Sequence, residues 1–156
     1  MVGIVVLFIF IELNGCIGEE GSSEDNPKVL NLGDSIIHRN IKITFLSAYW
    51  EELDSWGKTI TRYNLDLKGE NIGLEKDSVY VEITKYEMAN GYSYSSSYAL
   101  TSFTLEPGRN STESIRDDRE VIDRDFLPVV KIYITIDENL LPLTDGENVI
   151  YAILNV

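Results

Sequence analysis

The chain has 156 residues, 44% of them hydrophobic, with 26 Asp and Glu against 13 Lys and Arg, a formal net charge of −13. That length suits one domain with its own hydrophobic core, and that charge repels nucleic acid and anionic lipid headgroups, so neither is an expected partner. A single cysteine and a single histidine exclude an internal disulfide framework and any multi-histidine metal site.

The chain opens with an apolar run over residues 2–11, which leads through Glu12 into Leu13-Asn14-Gly15-Cys16. A short apolar segment followed by small residues is the pattern of an export signal. The tetrapeptide resembles the lipobox of prokaryotic lipoproteins, with an aliphatic residue three before the cysteine and a small one directly before it. The resemblance implies that the Cys16 sulfur, a strong nucleophile, takes up a diacylglyceryl group and that cleavage leaves Cys16 as the first residue. Two acyl chains then hold the protein stably at the membrane, where one chain binds only marginally. No Lys or Arg precedes Lys28, so a start further upstream, supplying the basic residues of such a signal, is expected. The alternative is an uncleaved membrane anchor, although a spanning helix needs about 20 apolar residues. Residues 1–16 are thus read as a lipoprotein-type signal segment and the location as extracytoplasmic, on the outer face of the cell membrane. Residues 17–27, which carry Gly, Ser and four acidic side chains, read as a flexible acidic tether.

From residue 28 onward the pattern is alternation. Ile41, Ile43 and Phe45 face one way with Lys42 and Thr44 opposite. Tyr63, Leu65 and Leu67 repeat this, as do Val79, Val81 and Ile83, and Ile132, Ile134 and Ile136. Period two with one polar face predicts antiparallel strands half buried against a second layer. Further strands are expected at 29–30, 35–38, 98–105 and 148–154. Turn signals bound them at Leu32-Gly33-Asp34, Asn71-Ile72-Gly73, Asn90-Gly91, Pro107-Gly108 and Asp145-Gly146. The expected fold is all-β: an immunoglobulin-like β-sandwich of about seven or eight short antiparallel strands over residues 28–156. Residues 114–125 are divided between a helix, from the pair Ser114 and Asp117 with Ile115, Ile122 and Phe126 at helical spacing, and a strand into Ile115 followed by an irregular crossover. The second reading is preferred.

The run Leu32-Gly33-Asp34 ahead of strand 41–45, Asn71-Ile72-Gly73 after strand 63–67, and Leu105-Glu106-Pro107-Gly108 before a polar strand resemble the telokin-like immunoglobulin-like domain of many prokaryotic lipoproteins. The resemblance covers residues 29–156. It implies a sandwich and a surface location; that family is largely of unknown function, so it implies no activity.

The chemistry-bearing residues are few. His38, at the end of a short strand, is expected to lie on a surface or edge, and no Gly-x-Ser-x-Gly elbow accompanies it, so the domain reads as non-enzymatic. Asp117, Asp123 and Asp125 form an oxygen-rich set of the kind that holds Ca²⁺, interleaved with Arg116, Arg119 and Arg124, whose charge opposes a cation. A calcium-dependent envelope module or enzyme is the alternative function, and solvated loop charge the plainer account of these residues. Tyr92, Tyr94 and Tyr98, set among serines, have the composition of a binding loop, because tyrosine offers stiff amphipathic contact area and serine adaptable hydrogen bonds. Trp50 and Trp56, flanking Glu51-Glu52-Leu53-Asp54, are expected in a second aromatic loop. Tyrosines packed on their own hairpin strands are the alternative. Asn110-Ser111-Thr112 is an N-glycosylation sequon on an expected surface loop, meaningful in a host that glycosylates its surface proteins, as many archaea do. The partners implied are the membrane, through a lipid on Cys16, and an envelope protein or glycan.

Overall fold

The computed structural model describes residues 16–17, 22–55, 57–119, 128–137 and 149–156. Among these residues there is no helix, and ten strands form two five-stranded sheets packed as a β-sandwich. The first sheet holds β1 (Cys16–Ile17), β3 (Ser35–His38), β4 (Ile41–Ser55), β5 (Lys58–Asn71) and β8 (Asn110–Arg119), in that spatial order. The second runs β2 (Lys28–Asn31), β10 (Ile150–Asn155), β9 (Val129–Asp137), β6 (Asp77–Met88) and β7 (Ser93–Leu105).

Alternation builds the core as expected. Phe45, Leu65, Ile83, Phe103, Ile132 and Ile134 point inward and are fully buried, while Lys42, Asp66, Glu82 and Thr135 point outward. Burying such side chains contributes roughly 1.5–3 kcal/mol each, which is what holds the two layers face to face. One inward position on β5 is Gly69, and a Cβ there would stand 2.4 Å from the Phe103 ring. The absent side chain is the space the ring occupies.

The strands are longer than the sequence pattern suggests: 15 residues in β4, 14 in β5, 12 in β6 and 13 in β7. The reason is two bulges. At Phe45/Ser47 the register of β4 on β5 shifts; Leu46 turns outward and the inward set passes to Ala48 and Trp50. At Ile83/Lys85 the same happens on β6, where Thr84 is exposed and Tyr86 and Met88 turn inward. A single extra residue exchanges the two faces of everything beyond it, so the alternation is interrupted while the pairing continues to Ser55 opposite Lys58.

Other expectations are corrected. Among the described residues ten strands stand where about seven or eight were expected. The outer pairs β1 with β3 and β2 with β10 are parallel, within an otherwise antiparallel arrangement. Residues 114–119 belong to β8, which pairs with β5 as far as Thr61 opposite Arg119, so the strand extends past Ile115 before any crossover. His38 is 4% exposed: two residues beyond the buried Ile36 on β3, it falls on the same inward face. Residues 1–15, 18–21, Asp145 and Gly146 lie outside the described residues.

The sandwich has two unlike ends. At one, here the turn end, lie the connections between β3 and β4, β5 and β6, and β7 and β8. Asn71, 2% exposed, donates its side-chain amide to the carbonyls of Leu105 (2.7 Å) and Glu75 (2.8 Å), and its side-chain oxygen accepts the Gly73 N–H at 2.9 Å. Buried Asp77 accepts the N–H groups of Asn40 (3.2 Å) and Ser78 (2.8 Å) and pairs with Arg39 at 3.2 Å. At the other, the hairpin end, lie the tips of the β4–β5 and β6–β7 hairpins.

At the N-terminal side Cys16 and Ile17 pair with Ser35 and Ile36. Within the stretch expected as a tether, Ser23 and Asn26 form an isolated bridge, and the Tyr151 N–H donates to the Ser22 hydroxyl at 2.8 Å. No helix among the described residues is long and apolar enough to cross a membrane.

Candidate functional site at the hairpin end

The hairpin end is organised by aromatic rings. The Trp50 ring on β4 meets Tyr63 on β5 edge-on, with centroids 4.8 Å apart and planes at 68°. Tyr63 in turn meets Tyr86 on β6 at 5.3 Å and 78°, across the gap between the sheets. Both tyrosines are 3% exposed. Edge-on geometry sets the positive rim of one ring on the negative face of the next, and burial pushes the Tyr63 phenol well above its ordinary range.

Register carries this row outward. Tyr94 is paired with Tyr86 and so lies on the same face of the sheet. Its ring stands 6.4 Å from that of Tyr92, the two planes tilted by 31°. Unlike the inner rings these face solvent, Tyr92 being 66% and Tyr94 46% exposed.

The turn that presents them is tied down. Gly91 has φ of 83°, a left-handed conformation that glycine adopts without strain. Its N–H donates to the Met88 carbonyl and the Met88 N–H to the Tyr92 carbonyl, both at 2.8 Å. The Asn90 side chain accepts the Tyr92 N–H at 3.0 Å, and the Ala89 N–H reaches the Pro128 carbonyl at 2.9 Å.

The other site candidates fall as follows. Trp50 is not a loop residue. It lies within β4, packed against the core, because the bulge after Phe45 turns it inward. Trp56 lies outside the described residues; Tyr98 belongs to β7, and its ring is outside the described side chains. Asp117 sits on β8 opposite Tyr63, 7% exposed, and accepts the Ser96 hydroxyl at 3.2 Å. It is a buried inter-sheet group and not part of a solvated loop, because β8 continues through it. Asp123 and Asp125 lie outside the described residues, and among those described no three His, Cys, Asp or Glu side chains are grouped to hold a metal ion. Asn110 opens β8, opposite Glu70. It is exposed, but it belongs to an edge strand and not to a loop.

Sequence reasoning missed the polar networks on the outer faces, which only register reveals. On the first sheet, Asp66 accepts the hydroxyls of Ser47 (2.7 Å) and Ser114 (2.6 Å) from the strands on either side. Nearer the hairpin end, Arg62 donates to both Asp118 oxygens, one of them at 3.0 Å. That pairing holds the carboxyl below its usual range and the guanidinium firmly charged. On the second sheet, Glu87 takes hydrogen bonds from Lys131 (3.1 Å) and Tyr133 (3.0 Å), and Lys85 lies 3.8 Å above the centre of the Tyr133 ring. The Lys131 bond, then the Tyr133 bond, lower the Glu87 carboxyl; burial, then Glu87, raises the Tyr133 phenol. The one signal available beforehand was complementary residue types on strands expected to be neighbours, without the register that aligns them.

No family model matches the chain, and no curated protein matches it. Among solved structures it is similar to an uncharacterized beta-sandwich protein from Clostridium difficile 630, at 14% identity and a TM-score of 0.46, covering 88% of this chain and 99% of that one. It is also similar to the yjhA protein of Bacillus subtilis, at 16% identity and a TM-score of 0.41, covering 81% and 98%. At that distance neither lends this chain a function, and what the hairpin end can do is read from its own side chains.

Proposed function

We propose that this β-sandwich is a non-enzymatic binding module of the cell envelope, held outside the cytoplasm by a lipid on Cys16, which captures an envelope protein or glycan through the tyrosines of the β6–β7 tip. The observation that carries the reading is the pair Tyr92 and Tyr94, two large rings set in solvent on a turn fixed by its own hydrogen bonds. Stiff aromatic side chains presented in advance lose little entropy on binding. The lipobox-like Leu13-Asn14-Gly15-Cys16 supports the address, and the resemblance to telokin-like lipoprotein domains belongs to the same proposal.

Register gives further support. Cys16 lies beside Ser35, which pairs with Thr44, while β4 continues to Ser55 at the hairpin end. At about 3.3 Å per residue the anchor point and the tips are separated by roughly 35 Å along the strand. With a lipid on Cys16, that distance gives the tyrosines room to stand clear of the bilayer.

Two measurements test the proposal. The N-terminal peptide of protein from its native membrane fraction should begin at Cys16 and carry a diacylglyceryl mass, absent in Cys16→Ser; a bare thiol with residues 1–15 still attached ends the lipid reading. Replacing Tyr92, Tyr94 and Tyr98 together by Ala should abolish capture of envelope material while the melting temperature holds; unchanged capture removes the tip from the proposal.

A further inference from the structure

Resting on that binding reading, the geometry points to a neutral saccharide as the ligand of the β6–β7 tip. In a chain of net charge −13, residues 89–96 (Ala-Asn-Gly-Tyr-Ser-Tyr-Ser-Ser) include no charged side chain, and residues 89–95 are exposed throughout. An anionic ligand is repelled by the chain as a whole, and a cationic one is drawn to the carboxylates elsewhere on it. The tip itself selects for neither.

The apolar content of the tip narrows the ligand further. Within residues 89–96, apolar surface belongs to the Ala89 methyl and the two rings. A bilayer gains from a broad contiguous apolar patch, and residues 89–96 offer only these two rings and a methyl. A neutral sugar ring instead presents C–H groups on a face and hydroxyls around its rim. The faces of Tyr92 and Tyr94 accept the first, because an aromatic face is negative. The exposed Tyr92 phenol hydroxyl, both donor and acceptor, accepts the second. With ring centres 6.4 Å apart and planes only 31° from parallel, the pair forms a short, ready-made platform on a pinned turn.

The test is native electrophoresis of the full chain through gels containing dextran, mannan or hydroxyethyl cellulose, with carboxymethyl cellulose as the anionic control and phosphatidylcholine vesicles as the lipid control. At least one neutral polysaccharide should retard the protein. The Tyr92→Ala/Tyr94→Ala variant should bind it about tenfold more weakly at an unchanged melting temperature, and Tyr92→Phe/Tyr94→Phe, which keeps the rings, should retain most of the retardation. Absence of retardation by every neutral probe, equal retardation of the Ala variant, or preference for the anionic polymer or the vesicles overturns the assignment. Periodate, which cleaves vicinal diols of sugars, separates this inference from the reading beneath it. Tyrosine-dependent capture of envelope material that disappears after periodate treatment supports the saccharide. Tyrosine-dependent capture that survives it overturns the saccharide and leaves the binding module standing, and capture independent of the tyrosines ends both.

Discussion

At the turn end of the sandwich, Asn71 and Asp77 bury their side chains and bond neighbouring backbone, Asp77 pairing with Arg39 as well, closing the β5–β6 and β3–β4 connections and reaching the end of β7. At the hairpin end, the β6–β7 turn is closed by its own short-range bonds, and its largest side chains, Tyr92 and Tyr94, stand in solvent. The same two sheets thus finish in opposite ways. Polar side chains tie the first end together, and the second displays two rings to solvent. Where a domain leaves large apolar groups outside a core that has room for rings such as Tyr63 and Tyr86, those groups are the ones to test for recognition.

That contrast makes quantitative demands. The largest effect belongs to Asn71→Ala, which strips two carbonyls and one N–H of their partner at a buried site and should cost about 3 kcal/mol in urea unfolding. A cost below about 0.5 kcal/mol, the range of ordinary surface changes, would erase the distinction between the ends. Next is Gly69→Ala, between the ends: the new methyl meets the Phe103 ring, and overpacking of this kind should cost about 2 kcal/mol.

A third test sharpens the inner part of the hairpin end. Burial raises the Tyr63 phenol above its ordinary value of 10.0, so the folded state favours the neutral form. That contribution to stability is fully present below about pH 10 and is lost as pH rises beyond it, because the unfolded chain ionises first. Melting temperature should therefore fall above pH 10 in the parent protein and fall less steeply in Tyr63→Phe; identical alkaline limbs would place the sensitivity elsewhere. The smallest effect is expected at the tip. Tyr92→Ala and Tyr94→Ala should each change stability by less than about 0.5 kcal/mol, and a loss of several times that would mean the tyrosines serve the fold after all.

The fold was legible wherever alternation ran undisturbed. Ile41 to Phe45, Tyr63 to Leu67, Val79 to Ile83 and Ile132 to Ile136 announced four central strands, and the glycine turns at Gly33, Gly91 and Gly108 all have positive φ. Legibility failed just past the bulges. Beyond Phe45 the phase of the pattern changes, so Trp50 read as a loop residue although it is an inward strand residue, and β7 was expected only from Tyr98 although it begins at Ser93. Asp117 was misplaced for a related reason: charge clusters read as solvated loops, and only pairing with Tyr63 across β5 and β8 shows that its side chain enters the gap between the sheets. Tyr92 and Tyr94 were singled out on composition alone; their separation from the buried rings needed the register.

The parallel edge pair has a consequence for the order in which the molecule is made. Among the described residues β10 is the one strand neighbour of β2 in its sheet, and Asn31 and Asn155, which meet there, are 124 residues apart in sequence. β2 is made well before its partner, so the second sheet stays open along that side until residues 150–155 are available to pair. Closing a loop of that span costs entropy before any contact repays it. The β2 edge of the second sheet is therefore among the last to close, a property of timing set by topology and independent of how stable the finished sandwich is.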